Sequence, residues 1–465
     1  MEENIQIESN VGKKPRMAET DDTGDDIISK LPESIISRIL SLLPTKHVLK
    51  TCVLSKEWEY KWASIYNIDI IDEEGFSHRT TRKNIVNFVD RIFILSRAST
   101  LKRFRLWFVE KYDAHRMITW ISAALVRDVE DLTIFYGHEG VVLPRCLFDC
   151  IPLRKLWLHM PCTFRPVQNW VSNLEVLYLD QVIILNDHAP NTSQLIFNFP
   201  VLGTLELRDC KWLKVNFVEI NAPALTEFNV AHYRDLSEVE NCQIKISGAK
   251  LLKFGFHGYF VDNLDLSASS VFSAAVDYQY FVHNLQGFQK NGSLACLLLK
   301  GCSGLNHLQL SGDTVEAIIA QSKQGHPLPE FNMLKRLEIC SQCNIEAFLE
   351  FLRLTSSIEW IKLSMLQWTD YDYDLVESMP CCIVSHIKEV EFDGFNGEQT
   401  HVHLADFLLK NAAELKKMVG LSRRRSEEKE VESLFWEKLK RAFANGDLEV
   451  DSSVKNMADF ESLFG

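Results

Sequence analysis

Three stretches decide the fold: Leu153-Arg154-Lys155-Leu156-Trp157-Leu158, Leu174-Glu175-Val176-Leu177-Tyr178-Leu179 and Leu202-Gly203-Thr204-Leu205-Glu206-Leu207. Each reads L-x-x-L-x-L, and its last two leucines, two residues apart, share one face of an extended strand. The pattern recurs upstream at Leu101/Phe104/Leu106 and Val129/Leu132/Ile134. Downstream it returns at Leu225/Phe228/Val230 and Leu251/Phe254/Phe256, with a poor copy at Val271/Ala274/Val276. It resumes at Leu305/Leu308/Leu310, Leu334/Leu337/Ile339 and Ile358/Ile361/Leu363, and ends at Ile387/Val390/Phe392.

Most of these units begin 21–29 residues apart, the period of a leucine-rich repeat. One unit cannot bury its own apolar face, so neighbours stack into a continuous core. The expectation is a curved solenoid lined by a parallel sheet. The longer interval between Val271 and Leu305 holds Tyr278, Tyr280, Phe281 and Phe288 and reads as an inserted helix or a protruding loop. Ile85, Phe88, Val89, Ile92 and Leu95 have helical spacing and suggest a helical link ahead of the first unit. Strand alternation predicts that Trp107, Trp157, Tyr178, Arg208, His257, His307, Arg336 and Trp360 project from the sheet. Aromatic residues and arginine dominate binding hot spots, which makes these eight the candidate substrate-binding residues. The alternative is that adjacent strands and loops cover the rings.

Composition narrows the partners. The chain has 465 residues, 46% apolar and 24% charged, with a formal net charge of −13. Nucleic-acid binding needs a basic face, so this balance argues against it and favours solubility and a basic partner. Met1 to Asp26 is polar and acidic, without a signal-peptide core. No apolar run approaches the roughly 18–20 residues of a membrane span. An intracellular protein of the nucleus or cytoplasm is expected, its 12 cysteines mostly reduced. Lys13-Lys14-Pro15-Arg16 is a solvated charge cluster or a nuclear import signal.

From Asp26 the character changes. Ile36, Ile39, Leu40 and Leu43 form an apolar helical face, preceded by Pro32 in a first-turn position and stopped by Pro44. Thr45 is positioned to cap a second helix through Cys52, and Ser55 a third that carries Trp58 and Trp62 on one side. Three blocks, Ile28-Ser29-Lys30-Leu31-Pro32, Ile39-Leu40-Ser41-Leu42-Leu43-Pro44-Thr45-Lys46 and Val53-Leu54-Ser55-Lys56-Glu57-Trp58, together resemble the F-box of plant F-box proteins. Glu57 departs from the basic residue often found there. The resemblance implies docking onto a Skp-type adaptor. It assigns the adaptor surface to Leu31, Pro32, Ile36, Ile39, Leu40, Leu43, Pro44, Val53, Leu54 and Trp58. The competing reading is that these apolar residues only hold the helices together.

At the other end, Ile387 to Gly397 reads as a strand and a glycine-bearing turn, followed by a helix with Leu404, Phe407, Leu408, Ala412 and Leu415 on its buried stripe. This segment resembles the FBD domain that closes many plant F-box/leucine-rich-repeat proteins, and its expected role is to cap the array. A further strand after Met418 is not evident, because Arg423-Arg424-Arg425 intervenes. A charged helix around Ser426 to Asn445 and an acidic tail are expected beyond it.

The expected fold is therefore α/β: a three-helix F-box, a leucine-rich-repeat solenoid with a parallel sheet, and an FBD-like cap. The boundaries read as a disordered tail to 25, F-box 26–66, helical link 67–100, repeats 101–378, cap 379–420, and a charged helix and tail 421–465. No phosphate loop, H-E-x-x-H or nucleophile elbow occurs. Cys340-x-x-Cys343 lacks the second ligand pair of a zinc site, and Cys146/Cys150 and Cys381/Cys382 read as packed thiols. No catalytic residue, metal or cofactor is predicted. The resemblance implies a non-enzymatic substrate receptor of a Skp, cullin and F-box ubiquitin ligase, joined through the adaptor to a cullin–RING machinery and holding an unidentified protein substrate. The alternative is a non-ligase scaffold on the same solenoid.

Overall fold

The computed structural model describes residues 31–72, 79–187, 193–233, 242–258, 264–266, 271–278, 285–364, 378–394, 399–422 and 449–454, less a few positions inside those spans. Lys13 to Arg16, Glu57, Tyr280, Phe281 and the stretch from Arg423 to Asn445 lie outside the described residues.

The chain opens on two short helices, α1 (Glu33–Leu40) and α2 (Thr45–Lys50), followed by 3-10 turns at Thr51–Val53 and Lys61–Ser64. Pro32 and Pro44 occupy the two N-cap positions, with φ near −55°, the angle a pyrrolidine ring imposes. Among the described residues the expected third α-helix does not form; turns lead from Leu54 to Lys61. Those turns still bring Trp58 and Trp62 into one cluster with Ile36, Leu40 and Val48. Helical spacing was not needed to gather the rings. The Trp62 indole N–H donates to the Glu59 carbonyl at 3.0 Å.

Residues 67–72 are not part of a helical link: Asn67–Asp72 is the first strand of a fifteen-stranded, parallel sheet. The F-box region is fastened to that strand by buried hydroxyls. Thr45 Oγ1 accepts from the Asp69 N–H at 2.8 Å, and Ser41 Oγ from the Tyr66 N–H at 3.4 Å. Thr45 therefore closes a strand edge instead of capping α2. Helix α3 (Arg79–Leu95) follows, and it buries Val89 and Ile92.

The long sheet then takes one strand from each repeat. The inward row runs in register through Phe104, Leu132, Leu156, Leu177, Leu205, Phe228, Phe254, Ala274, Leu308, Leu337, Ile361, Val390 and Met418. All of these are buried. The poor copy at Ala274 keeps the register, because the small side chain is flanked by Phe254 and Leu308.

Repeats return to the sheet in two ways. At the ends they return through helices: α4 (Ala114–Leu125) early, then α5 (Leu285–Lys300), α6 (Gly312–Lys323), α7 (Ile345–Arg353), α8 (Cys381–Ser385) and α9 (Gln399–Asn411). In the middle they return through short strands that form a five-stranded and a four-stranded sheet. The long Val271–Leu305 interval contains α5. Leu404, Phe407, Leu408 and Ala412 are buried under the last turns of the array. Two more strands, Lys417–Ser422 and Glu449–Val454, extend the sheet past the point where the sequence pattern ended. Among the described residues no helix is long and apolar enough to cross a membrane.

Candidate functional site

Two surfaces present chemistry to a partner. The first lies on the N-terminal helices. Helix α1 is apolar on both sides, because ESIISRILSLL places apolar residues in adjacent pairs. Its inner face sinks Ile36 and Leu40. Its outer side leaves Ile35 and Ile39 over 40% exposed, continued by Leu42 at 78% and Leu43. Positions 35, 39 and 42 follow the i, i+4, i+7 spacing of one helix face. After α2, Val53 and Leu54 are 86% and 66% exposed, with no core to cover them.

The ten residues assigned to the adaptor surface thus divide. Pro32, Ile39, Leu43, Pro44, Val53 and Leu54 are exposed, and Leu31 is half-buried. Ile36, Leu40 and Trp58 lie in the core; their side chains hold the module together and offer no contact area, which corrects that part of the assignment. Ile35 and Leu42 are exposed beside Ile39 and were not among the ten. Their helical spacing with Ile39 was the available signal, masked by the second apolar row beside it.

The second surface is the open face of the long sheet. All eight candidate residues stand on outward positions. Because strands lie about 4.8 Å apart, rings at equal positions on neighbouring strands stack. Trp107 stacks on Phe135 at 4.2 Å, and Phe135 on His159 at 4.4 Å. His159 Nδ1 meets Asp180 Oδ2 at 2.7 Å, and the Tyr178 hydroxyl donates to the same oxygen at 3.2 Å. In the next row Trp157 stacks on Tyr178 at 4.5 Å, and the Arg208 guanidinium covers the other side of that ring at 5.3 Å. Burial, then the Asp180 charge, pushes the Tyr178 phenol well above its ordinary range. Phe135, His159 and Asp180 belong to this group and were missed, since a lone strand does not reveal its neighbours' register.

Tyr178 is buried between its neighbours, so it supports Trp157 and offers little surface of its own. Trp107 is exposed, and Trp157 and Arg208 are half-buried. A second group lies towards the C-terminal end. Arg336 sits over the Trp360 ring at 4.3 Å, and the His307 ring meets that indole edge-on at 6.4 Å. His257 belongs to neither group; it faces Asp277 at 3.8 Å. Farther along, Lys362 lies between Glu338 at 3.2 Å and Glu391 at 3.5 Å. Burial works against its charge, but the two carboxylates outweigh it and hold its pKa above the ordinary lysine value.

All twelve cysteines are free thiols. Burial pushes Cys340 up to about 12 and raises Cys343 further, so neither is an ionised ligand or nucleophile near neutral pH. Cys150 and Cys382 are buried and Cys146 is half-buried, but Cys381 is exposed, unlike the packed thiol expected there. Among the described residues no group of His, Cys, Asp and Glu could hold a metal ion. A cleft lined by Ser293, Cys296, Lys300 and Gln321 encloses about 170 Å³, below the roughly 300 Å³ of a typical small-molecule site. The available chemistry is that of broad contact surfaces.

A family model described as F-box domain matches residues 28–68, and one described as FBD matches residues 376–419. The chain is 26% identical over 431 residues to the Arabidopsis thaliana F-box/FBD/LRR-repeat protein At1g13780, covering 85% of this chain and 91% of that one. It is 26% identical to the Arabidopsis F-box/FBD/LRR-repeat protein At1g51370, over 87% and 91% of the two chains. It is 27% identical to the Arabidopsis F-box/LRR-repeat protein At4g14103, over 68% and 84%. The exposed apolar helices, the repeat sheet and its C-terminal closure agree with these similarities: the chain carries an F-box domain and an FBD domain and resembles the Arabidopsis F-box/FBD/LRR-repeat proteins over most of its length.

Proposed function

We propose that this protein is the substrate receptor of a Skp, cullin and F-box ubiquitin ligase. The observation that carries the reading is the apolar surface of Ile35, Ile39, Leu42, Leu43, Val53 and Leu54, uncovered on a segment that matches the F-box domain. Apolar side chains gathered on one exposed patch mark an interaction site. In this reading Leu31, Pro32 and Pro44 complete the contact with a Skp-type adaptor, which links the chain to a cullin–RING ligase. The open face of the sheet, through Trp107, Phe135, His159 and Trp157, holds a protein substrate. The chain contributes no reacting group; it raises the substrate's effective concentration beside the ubiquitin-carrying enzyme.

The test uses a purified Skp-type adaptor and the full chain. Val53→Asp with Leu54→Asp alters side chains that touch no core, so the fold survives while a buried charge enters the contact. The expected result is capture of the adaptor by wild type and loss of about a hundredfold or more in affinity for the double variant. Wild type that captures no adaptor, or a double variant that captures it equally well, overturns the reading.

A further inference from the structure

The residue just before each strand of the long sheet forms a continuous rim. In most of them the carbonyl accepts two N–H groups from the next repeat. Leu252 O, for example, takes Phe272 N at 3.0 Å and Ser273 N at 2.9 Å, and Phe272 O takes Asn306 N and His307 N. The ladder holds these residues side by side at the strand spacing of about 4.8 Å.

The rim is charged at both ends and uncharged in the middle. Towards the N-terminus Arg154 pairs with Glu175 at 2.8 Å, and towards the C-terminus Glu359 pairs with Lys335 at 3.4 Å and Lys388 at 2.7 Å. Between them stand Leu252 and Phe272, 52% and 54% exposed. Two neighbouring large apolar side chains replace the ion pairs that occupy the same positions elsewhere.

Two strands on, in register with Ser273 and next to the rim residue Lys335, stands Arg336. Its guanidinium lies over Trp360 at 4.3 Å, and among the described residues no carboxylate comes within ion-pair reach of it. The carboxylates on adjoining positions are occupied: Glu338 by Lys362, Glu359 by Lys335 and Lys388, and Glu389 by Lys417. An arginine steadied on an aromatic face, with its fork of donors unused, is preorganised for an incoming carboxylate. The His307 ring, held at Nδ1 by Ser273 Oγ at 3.3 Å, fills the floor between Ser273 and Trp360.

We infer that this edge of the sheet, from Leu252 and Phe272 on the rim to Arg336 at the first outward position beside it, docks an extended peptide segment of a partner protein that carries a large apolar residue followed, three or four positions on, by an acidic one. The spacing follows from geometry. Two strand intervals are about 10 Å, and an extended chain rises about 3.3 Å per residue. The apolar side chain covers Leu252 and Phe272 while the carboxylate reaches Arg336. The inference rests on the reading that the repeats recognise a protein, but not on adaptor binding.

The test begins with the full chain on an array of peptides holding one leucine or phenylalanine and one glutamate in a glycine–serine background, their separation varied. Binding should peak at a separation of three or four and vanish when glutamine replaces the glutamate. For the best peptide, measured by fluorescence anisotropy, Arg336→Gln should weaken binding about tenfold, the loss of a charge-assisted contact. Lys335→Gln removes the same charge one residue away, but from a cation already paired, and should change affinity by less than about twofold. No dependence on separation, or equal losses for Arg336→Gln and Lys335→Gln, overturns the inference. So does tighter peptide binding after removal of residues 455–465, in which Met457 stands four positions before Glu461; the occupant would then be the chain's own tail. Val53→Asp with Leu54→Asp should leave peptide binding intact, so failure at the adaptor and failure at the rim read out separately.

Discussion

At the scale of single residues, what a side chain does here depends on its neighbours one strand away. Trp157 and Tyr178 stack because the register sets them opposite each other; neither sequence position alone implies the pair. His232 shows the same dependence in the core. It ends the Glu227–His232 strand at 5% exposure, and Nδ1 has no hydrogen-bond partner among the described residues. Burial lowers its pKa to about 4. The unfolded chain holds this imidazole near 6.5, so between those values the unfolded state binds more protons and stability falls as pH falls. The contribution of the neutral ring is complete above about pH 6.5 and is lost towards pH 4, up to about 3 kcal/mol. Urea unfolding from pH 7 to 4.5 should therefore lose more stability in wild type than in His232→Gln. Parallel curves for the two proteins would refute this account.

At the scale of elements, the helices of the later repeats are placed by close backbone approach as well as by apolar stripes. Helix α6 is capped by Ser311, whose side chain accepts from the Thr314 N–H at 3.3 Å. Its first residue, Gly312, lies so near the Gln342 carbonyl that an added Cβ would stand 1.5 Å from that oxygen. Gly312→Ala must push α6 away from the following repeat and should cost about 2–3 kcal/mol. Gly325→Ala meets nothing within 4 Å but has φ +78°, so only backbone strain of about 1 kcal/mol applies. Chemical denaturation of both variants checks the order; a larger loss at Gly325 would contradict it. The hexads made the long sheet legible from sequence, because inward leucines two apart can serve only one face of a strand. The short return strands, such as Ile183–Leu185 and Lys211–Leu213, escaped notice because three residues carry too little period to read.

At the scale of the whole molecule, the F-box helices are tied to the first strand of the repeat sheet. The strand Asn67–Asp72 pairs with Arg103–Phe108, while Thr45 and Ser41 bind its other side. The exposed apolar helices and the open sheet are thereby held in a fixed relation, which the proposed receptor role requires. The opposite end is closed by Glu389–Asp393 and the strands beyond it, with α9 beneath. A chain ending at residue 378 would leave one edge of the Trp360–Ser364 strand unpaired and the last layer of the core open to water. Such edges associate, and a terminal repeat without its cap frays. Light scattering should show concentration-dependent association of the truncated chain and an earlier first unfolding step; a monomer as stable as the full chain would argue against a capping role.

The sequence by itself determined the repeat period, the inward residues of each strand and the F-box and FBD segments, because each rests on local spacing that one chain segment contains. It also narrowed the open face to its eight candidates, since alternation alone decides which side chains point out. Only the tertiary structure decided which of these meet. Register brought Phe135, His159 and Asp180 into the aromatic group, and lysines claimed Glu338, Glu359 and Glu389 around Arg336. The same holds for the F-box helix. Both of its apolar rows are plain in the sequence, but only packing against Trp58 and Trp62 determined that Ile36 and Leu40 turn inward and Ile35 and Ile39 remain exposed.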